Sequence, residues 1–385
     1  MNPGSLWEVQ IHDAVEPLEM EWRALEARGA CTAFQGFDWA RIWYQAVTRH
    51  GAAEPLIVTA RQPGGSRIDV ILPLCRTRCR GYWEVAFADM GVSDFVGPVF
   101  DPESLRSAAD MESLMAAVTA ALPKADVWRI DKIPADIGAV RNPLMSLPGL
   151  AEFPVGLWGI ALSAGQRGER PPHANRRVFN KTVRRRDELG QKFERTVEWV
   201  LDADRLASAF DELVGLRIAR FDALGRPEIL KDPVWHDFYH GLAAHSGGGL
   251  RVAVITLKAD GQTIAALLGV GHRGAFHYLM AGFAMEEWAD YMPGLQLVFD
   301  VMGECPERGF DYLDLTIGDE RYKKDVGATR RPLYETRVPV TLKGWLICRA
   351  WRLKIALRNY PRLTALLKRL AGRPLMAQSA AGATG

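Results

Sequence analysis

The chain has 385 residues, 48% of them hydrophobic and 24% charged, and a formal net charge of +2. That length accommodates two domains of ordinary size, the apolar content supports real cores, and the composition excludes a disordered polymer. The near-neutral balance excludes nucleic-acid binding by bulk charge, so a basic partner surface must be local.

The opening stretch MNPGSLWEVQIHDAVEPLEM lacks a basic start and is broken by acids, so no signal peptide is read there, and no run of eighteen apolar residues predicts a span. Five scattered cysteines, Cys31, Cys75, Cys79, Cys305 and Cys348, suit a reducing cytoplasm. Residues 16–50 read as helical, with Trp22, Leu25, Trp39 and Trp43 at packing spacings. Residues 55–60, 68–74 and 82–88 read as strands, 111–122 as a helix, 127–130 as a short strand and 134–154 as irregular.

The Gly-, Arg- and Pro-rich stretch 164–174 reads as the linker between domains over 1–163 and 175–342. A basic helix over 175–189, a strand over 192–200 and helices over 203–221 and 233–244 follow. Strands at 250–258, 263–272 and 275–284 are predicted to form a meander turned by Asp260-Gly261 and Arg273-Gly274. Pro293 and Gly294 open an amphipathic helix with Asp290 as candidate N-cap, and Phe310, Tyr312 and Asp314 alternate along a strand. A helix start of this kind offers unpaired N–H groups and a positive dipole end to an anion such as pyrophosphate. Gly318, Asp319, Glu320, Arg321, Tyr322, Lys323 and Lys324 follow the strand directly.

The segments YMPGLQL, FDYLDLTIGDERYKKDVG and FQGFDWARIWY resemble the GNAT-fold acyltransferases of the CelD/BcsL type, relatives of the FemAB peptidyltransferases. The motif falls on Pro293, Gly294, Asp314, Gly318, Asp319, Tyr322, Lys323 and Gly327. Ordinary GNAT enzymes carry two glycines in the phosphate loop, whereas Gly294 stands alone between Tyr291 and Val301. The resemblance implies an α/β fold of the α+β kind, two GNAT-like domains in tandem, although no sequence repeat joins the halves. It implies an acyl-CoA or acetyl-CoA co-substrate and no metal. The donor's pantetheine would lie along the strand at Tyr278, its pyrophosphate at Pro293 and Gly294.

The reaction needs a base, an oxyanion stabiliser and a proton donor for the leaving thiolate. The resemblance offers Asp314 or Asp319 as base or orienting group, Tyr322 as proton donor and Lys323 for the developing oxyanion. Against these stand turn-capping acids, a tyrosine lining the cleft wall and a solvated Lys324. Of the run Arg176, Arg177, Lys181, Arg184, Arg185 and Arg186, one face with Arg177 and Lys181 could hold donor phosphates, a nucleotide-sugar, lipid head groups or tRNA, or be merely solvated. In the first domain Gln35, Ser93 and Asp94 match family positions for the acceptor, and turn capping explains the latter two equally well. His236 and His240 are spaced like a helical metal pair but lack the HExxH pattern, and no serine-hydrolase elbow or P-loop occurs.

Residues 343–373 hold nine Lys or Arg and no acid, with Leu346, Ala350, Leu353 and Leu357 striping one side and Trp345 and Trp351 flanking it. The segment reads as a basic amphipathic tail for an anionic membrane surface, or as a helix packed on the body. The expectation is an acyl-CoA-dependent N-acyltransferase acting on the amino group of a cell-envelope or exopolysaccharide sugar or an amino-lipid precursor. Its place is the cytoplasm, peripheral on the inner face of the membrane. The alternatives are a FemAB-like transferase drawing on aminoacyl-tRNA and a non-catalytic scaffold for envelope synthesis.

Overall fold

The computed structural model describes residues 7–165, 167–245 and 247–358. Its strands are β1 (Glu8–His12), β2 (Glu54–Arg61), β3 (Val70–Cys79), β4 (Tyr82–Phe87), β5 (Val99–Phe100), β6 (Val127–Pro134), β7 (Asp136–Ile137), β8 (Val140–Arg141), β9 (Ala151–Glu152), β10 (Leu157–Ala161), β11 (Arg195–Val200), β12 (Arg251–Ala259), β13 (Gln262–His272), β14 (Ala275–Phe283), β15 (Tyr312–Ile317), β16 (Thr329–Arg331) and β17 (Leu333–Pro339). The helices are α1 (Glu19–Arg28), α2 (Phe37–Arg49), α3 (Ala108–Ala121), α4 (Arg176–Lys192), α5 (Ala203–Ala223), α6 (Pro233–Ala243), α7 (Pro293–Glu304), α8 (Arg321–Asp325) and α9 (Leu342–Arg358).

Local chemistry accounts for many of these boundaries. Ser107 and Asp110 form a reciprocal capping box on α3, and Asn175, Asp202 and Asp232 cap α4, α5 and α6 through their side chains. The hairpins β3/β4, β12/β13 and β13/β14 turn at Arg80-Gly81, Asp260-Gly261 and Arg273-Gly274, all six residues at positive φ as a type I′ turn requires. The helical reading of 16–50 resolves into α1 and α2, because Gly29 tucks against the Phe100 carbonyl, where a Cβ would lie 2.4 Å from the oxygen. The strands β1, β5, β10, β16 and β17 go beyond the sequence reading, and so do β7, β8 and β9, two residues each, in the stretch 134–154 read as irregular. They are short or charged, so their apolar alternation is weak.

The described chain forms two compact units. The first comprises the residues up to Gln35, Gly51–Pro154 and those from Pro332 on; the second comprises Gly36–His50 and Val155–Arg331. This partition differs from a simple cut at the 164–174 linker. Helix α2 belongs to the second unit, where Trp39 meets Phe238 of α6 edge-on at 5.0 Å. Strand β17 and helix α9 belong to the first, where β17 pairs with β6. Apolar periodicity marks a face for burial without saying which core receives it.

Within the first unit the sheet order is β1-β2-β3-β4-β6-β17-β9, with β5 beside β3; within the second it is β11-β12-β13-β14-β15-β10-β16. Both sheets are antiparallel apart from one parallel pair, β4/β6 and β14/β15 respectively. Each pair is held over three residues, Glu84–Ala86 with Val127–Arg129 and Ala275–His277 with Tyr312–Asp314, and then parts. Each has a non-glycine residue at positive φ just beyond the parting, Lys132 (56°) and Thr316 (63°). The two units thus repeat one topology. Each encloses its own core, built around Trp128, Leu74 and Met111 in the first and Phe276, Leu313 and Val301 in the second.

Candidate functional site

Where β14 and β15 part, the second unit opens a small hollow lined by Arg217, Tyr278, Leu279, Met280, Ala281, Leu315, Thr316 and Tyr322. Two irregularities shape it. The β13/β14 register jumps from Leu268 opposite Met280 to Gly269 opposite Tyr278, which leaves Leu279 as the extra residue of a bulge. On the other wall, the β10/β15 register jumps between Trp158 and Gly159, passing over Leu315, and Thr316 sits at φ 63°. A β-branched residue at positive φ is strained and persists only where its surroundings hold it.

Two of the expected catalytic residues do that holding. Asp314, 1% exposed, accepts the Thr316 N–H at 2.8 Å, and its other oxygen lies 3.3 Å from Nδ1 of His277 on β14. Lys323, also 1% exposed, donates from Nζ to the carbonyls of Thr316 (3.3 Å) and Ile317 (2.9 Å) and pairs with Glu320 at 2.9 Å. Together they fix the conformation of the strand end. Asp319 is committed elsewhere: it accepts from the Gly156 amide, the Trp158 indole and Arg330, tying β10 and β16 to the loop after β15. Burial works against its ionised form, but those hydrogen bonds and the Arg330 charge hold the carboxyl below its usual range.

Glu320, which the sequence reading passed over, occupies a different position. Both carboxylate oxygens are buried, and neither receives a hydrogen bond from a described residue, the ion pair with Lys323 aside. It stands at the N-cap of α8 without capping it. A Cβ on Gly318 (φ 122°) would lie 2.5 Å from either oxygen, so glycine makes the room for this carboxylate. Its signal in sequence was faint: an acid three residues before the lysine, among other charges. The phenols of Tyr278 and Tyr322 share its electrostatic field, and desolvation pushes both well above the ordinary tyrosine range, which keeps them protonated. Arg217 closes the hollow from α5, 2% exposed, donating to Glu228 at 2.8 Å and to the Ala281 carbonyl of β14 at 3.1 Å.

The expected phosphate cradle takes a different form. Met292, at φ 57°, caps α7 without a side-chain bond, in place of Asp290. A 3-10 turn, Glu286–Tyr291, with exposed Glu286, Glu287 and Asp290, leads into the helix where an open glycine loop was expected. Gly294 is a packing residue: a Cβ there would meet the Phe283 ring at 2.9 Å. Helix α4 runs antiparallel to α7, since Phe179 stacks edge-on against Phe299 (5.2 Å) while Lys192 reaches the Tyr291 hydroxyl (3.2 Å). Arg177 and Lys181, exposed near the start of α4, therefore lie toward the far end of α7 from Pro293 and Gly294, and basic residues near that start include Arg185, Lys192 and Arg195, the last bonded to Gln296 at 2.9 Å. Arg184 and Arg185 pair with Glu188. A cavity of about 260 Å³ between α4 and α7 is lined by Phe179, Arg186, Phe299 and Asp300, and two of its three acids are paired, Asp300 with Arg195 and Glu304 with Arg167, while Glu169 is the third.

In the first unit, Gln35 and Ser93 are buried scaffolding. Gln35 donates to the Phe95 carbonyl at 3.2 Å, and the Ser93 amide donates to Asp89, which also pairs with Lys132 at 2.7 Å. Asp94 is half-buried beside them. His236 and His240 stack with ring centroids 4.2 Å apart, and His240 lies 3.8 Å from Asp211.

The strand order, the parallel pair that parts after three residues and the bulge on its first strand describe a known architecture. Residues 176–324 match the family model described as Acetyltransferase (GNAT) domain. This segment is a GNAT domain. The first unit repeats its topology, so the chain is a tandem of GNAT-like units. No curated protein matches the sequence. Among solved structures, FemX is similar over 85% of this chain and 96% of its own, at 13% identity and a TM-score of 0.58. A Bacteroides thetaiotaomicron protein of unknown function matches over 85% of this chain and 99% of its own, at 11% identity and a TM-score of 0.54. A domain assigned to a lysylphosphatidylglycerol synthetase from Agrobacterium fabrum matches over 88% and 97%, at 14% identity and a TM-score of 0.50. At such identities the GNAT domain shares their fold, and the fold is that of acyltransferases.

Proposed function

We propose that the GNAT domain transfers an acyl group from a thioester, acetyl-CoA or a longer acyl-CoA, to a primary amine. The acceptor is an amino sugar or amino-lipid precursor of the cell envelope or an exopolysaccharide. The observation that carries the reading is the Glu320 carboxylate, buried and unbonded apart from its ion pair, whose charge acts on the two protonated tyrosines that wall the hollow beside the bulged strand. In the forward step the amine nitrogen attacks the thioester carbonyl, Glu320 takes the ammonium proton, the C–S bond breaks and the thiolate receives a proton from Tyr322 or Tyr278. The extra amide of the Leu279 bulge is the oxyanion donor, and Lys323 positions Glu320 and the strand end without reaching substrate.

One observation favours a second reading. The acidic turn 286–291 at the start of α7 is a poor cradle for pyrophosphate, which suits an aminoacyl-tRNA donor of the kind implied by the FemAB resemblance. Thermal melting with CoA, acetyl-CoA and long-chain acyl-CoAs separates the two, because a ligand at about a hundred times its dissociation constant adds roughly 2.7 kcal/mol. A rise with a thioester is expected, and Glu320→Gln should keep that rise while transfer to an amine falls about a hundredfold or more. Absence of any rise, with transfer abolished by ribonuclease, would replace the thioester by aminoacyl-tRNA. Absence of transfer from either donor would leave a scaffold.

A further inference from the structure

Helix α9 lies on the first unit by one face only. Gly344 presses against the Asp126 carbonyl so closely that a Cβ would lie 1.8 Å from the oxygen; Cys348 is buried, and Trp351 lies under the Arg337 guanidinium at 5.2 Å. Trp351, expected to flank the apolar stripe, is half-buried on the first unit, while Leu346, Ala350 and Leu353 of the stripe are exposed. The opposite face exposes Leu342 (79%), Trp345 (44%), Leu346 (59%) and Leu353 (62%). At 3.6 residues per turn these four fall within an arc of about 100°. Lys343 and Lys354 border that arc on one side and Arg352 on the other, while Arg349 lies within it, its guanidinium 4.8 Å from the Trp345 ring.

An outward apolar stripe between two basic borders is the cross-section of a helix lying in a membrane interface, with leucines and tryptophan in the acyl boundary and cations among phosphates. Charge selects the occupant. No Asp or Glu follows Glu335, and Arg362, Lys368, Arg369 and Arg373 continue the positive series beyond the described residues. A second copy of α9 would bring the same cationic borders together, whereas an anionic bilayer neutralises them. Among the described residues no helix is long and apolar enough to cross a membrane, so the contact is with one surface.

We propose that the outer face of α9 docks the protein on an anionic phospholipid bilayer through Leu342, Trp345, Leu346 and Leu353, with Arg349 and Lys354 contacting the head groups while Lys343 and Arg352 reach back to Gly81 and Gly149. The inference does not rest on the acyl-transfer reading, since vesicle binding is measured without any donor or acceptor.

The test is co-sedimentation of the full chain with phosphatidylcholine vesicles, with and without phosphatidylglycerol. Binding is expected only with phosphatidylglycerol, weakening steeply with salt, and the double variant L346E/L353E should bind about tenfold or more weakly while melting like the parent. Equal binding of parent and variant, equal binding to both vesicle types, or no binding by the parent would overturn the proposal. So would a parent that dimerises through this face, with the variant monomeric and vesicle binding absent. Should the variant fail to fold, the lipid and salt dependence of the parent decides alone.

Discussion

At the scale of single residues, the site separates groups that hold the backbone from the one left over. The resemblance offers Asp314 as base or orienting group and Lys323 for the developing oxyanion, and both restrain Thr316 at φ 63°. Lys323 has its ammonium in a protein environment with a carboxylate beside it, so removing it strands Glu320 as a buried, uncompensated charge. Lys323→Met should therefore lower the unfolding free energy by about 3–5 kcal/mol, measured by urea titration. The double variant K323M/E320M should lose clearly less than the sum of the two singles, because it removes both charges together. Additive losses would mean that the pair is not coupled. The motif residues were visible in sequence, but their division of labour was not. Whether a carboxylate is bonded or idle depends on which N–H groups fold back to it, and the Thr316 and Gly156 amides and the Trp158 indole come from segments far apart in the chain.

At the scale of elements, the α7 start shows how a motif can mark packing. Gly294 admits the Phe283 ring of β14 against the first turn of the helix. Gly294→Ala should therefore destabilise the protein by about 1 kcal/mol, as a clash of roughly 1–3 kcal/mol outweighs the gain in helix propensity. Phe283→Leu in the same chain should recover most of it, read as a shift in the thermal midpoint. An unchanged or raised midpoint for the single variant would show that the ring yields freely. A loss of donor binding in a larger Gly294 variant would accordingly report packing before any phosphate contact. The helices and the β12-β13-β14 meander were legible in sequence because their signals are local: caps, turn glycines and apolar period. Strands β10 and β17 were not, since β10 is short, β17 is interrupted by Glu335 and Arg337, and each takes its identity from its neighbour, β15 and β6 respectively.

At the scale of the whole molecule, pH acts through groups that folding desolvates. His272 sits at the β13/β14 turn, where burial first and the Arg273 charge second press its pKa down to about 3. The folded value lies below the unfolded value of about 6.5, so the unfolded chain binds the extra proton in between. The stabilisation held above pH 6.5 is then lost as the pH falls toward 3, at up to about 1.4 kcal/mol per unit. Between about pH 6.5 and 5, above the carboxylate range, His272→Gln should flatten the dependence of the urea midpoint. A variant as steep as the parent would place the titration elsewhere. No disulfide joins the five cysteines, all of them among the described residues, and burial raises Cys75 and Cys305 to about 12, so both thiols stay protonated at neutral pH.

The sequence by itself determined what depends on neighbours along the chain. It specified capped helices, glycine hairpins, the mixed α/β class and a GNAT-like motif with its lysine, tyrosine and acids. It also specified a basic terminal segment. Only the tertiary structure decided which unit receives α2, β10, β17 and α9, that the two sheets repeat one strand order, and which face of α9 is left outward. It alone set Glu320 apart from Asp314 and Asp319. The physical reason is common to all of these: pairing and burial are settled between segments distant in sequence, and two units with no visible repeat can still share one topology because a sheet's order is fixed by hydrogen bonds and packing volume, which many sequences satisfy.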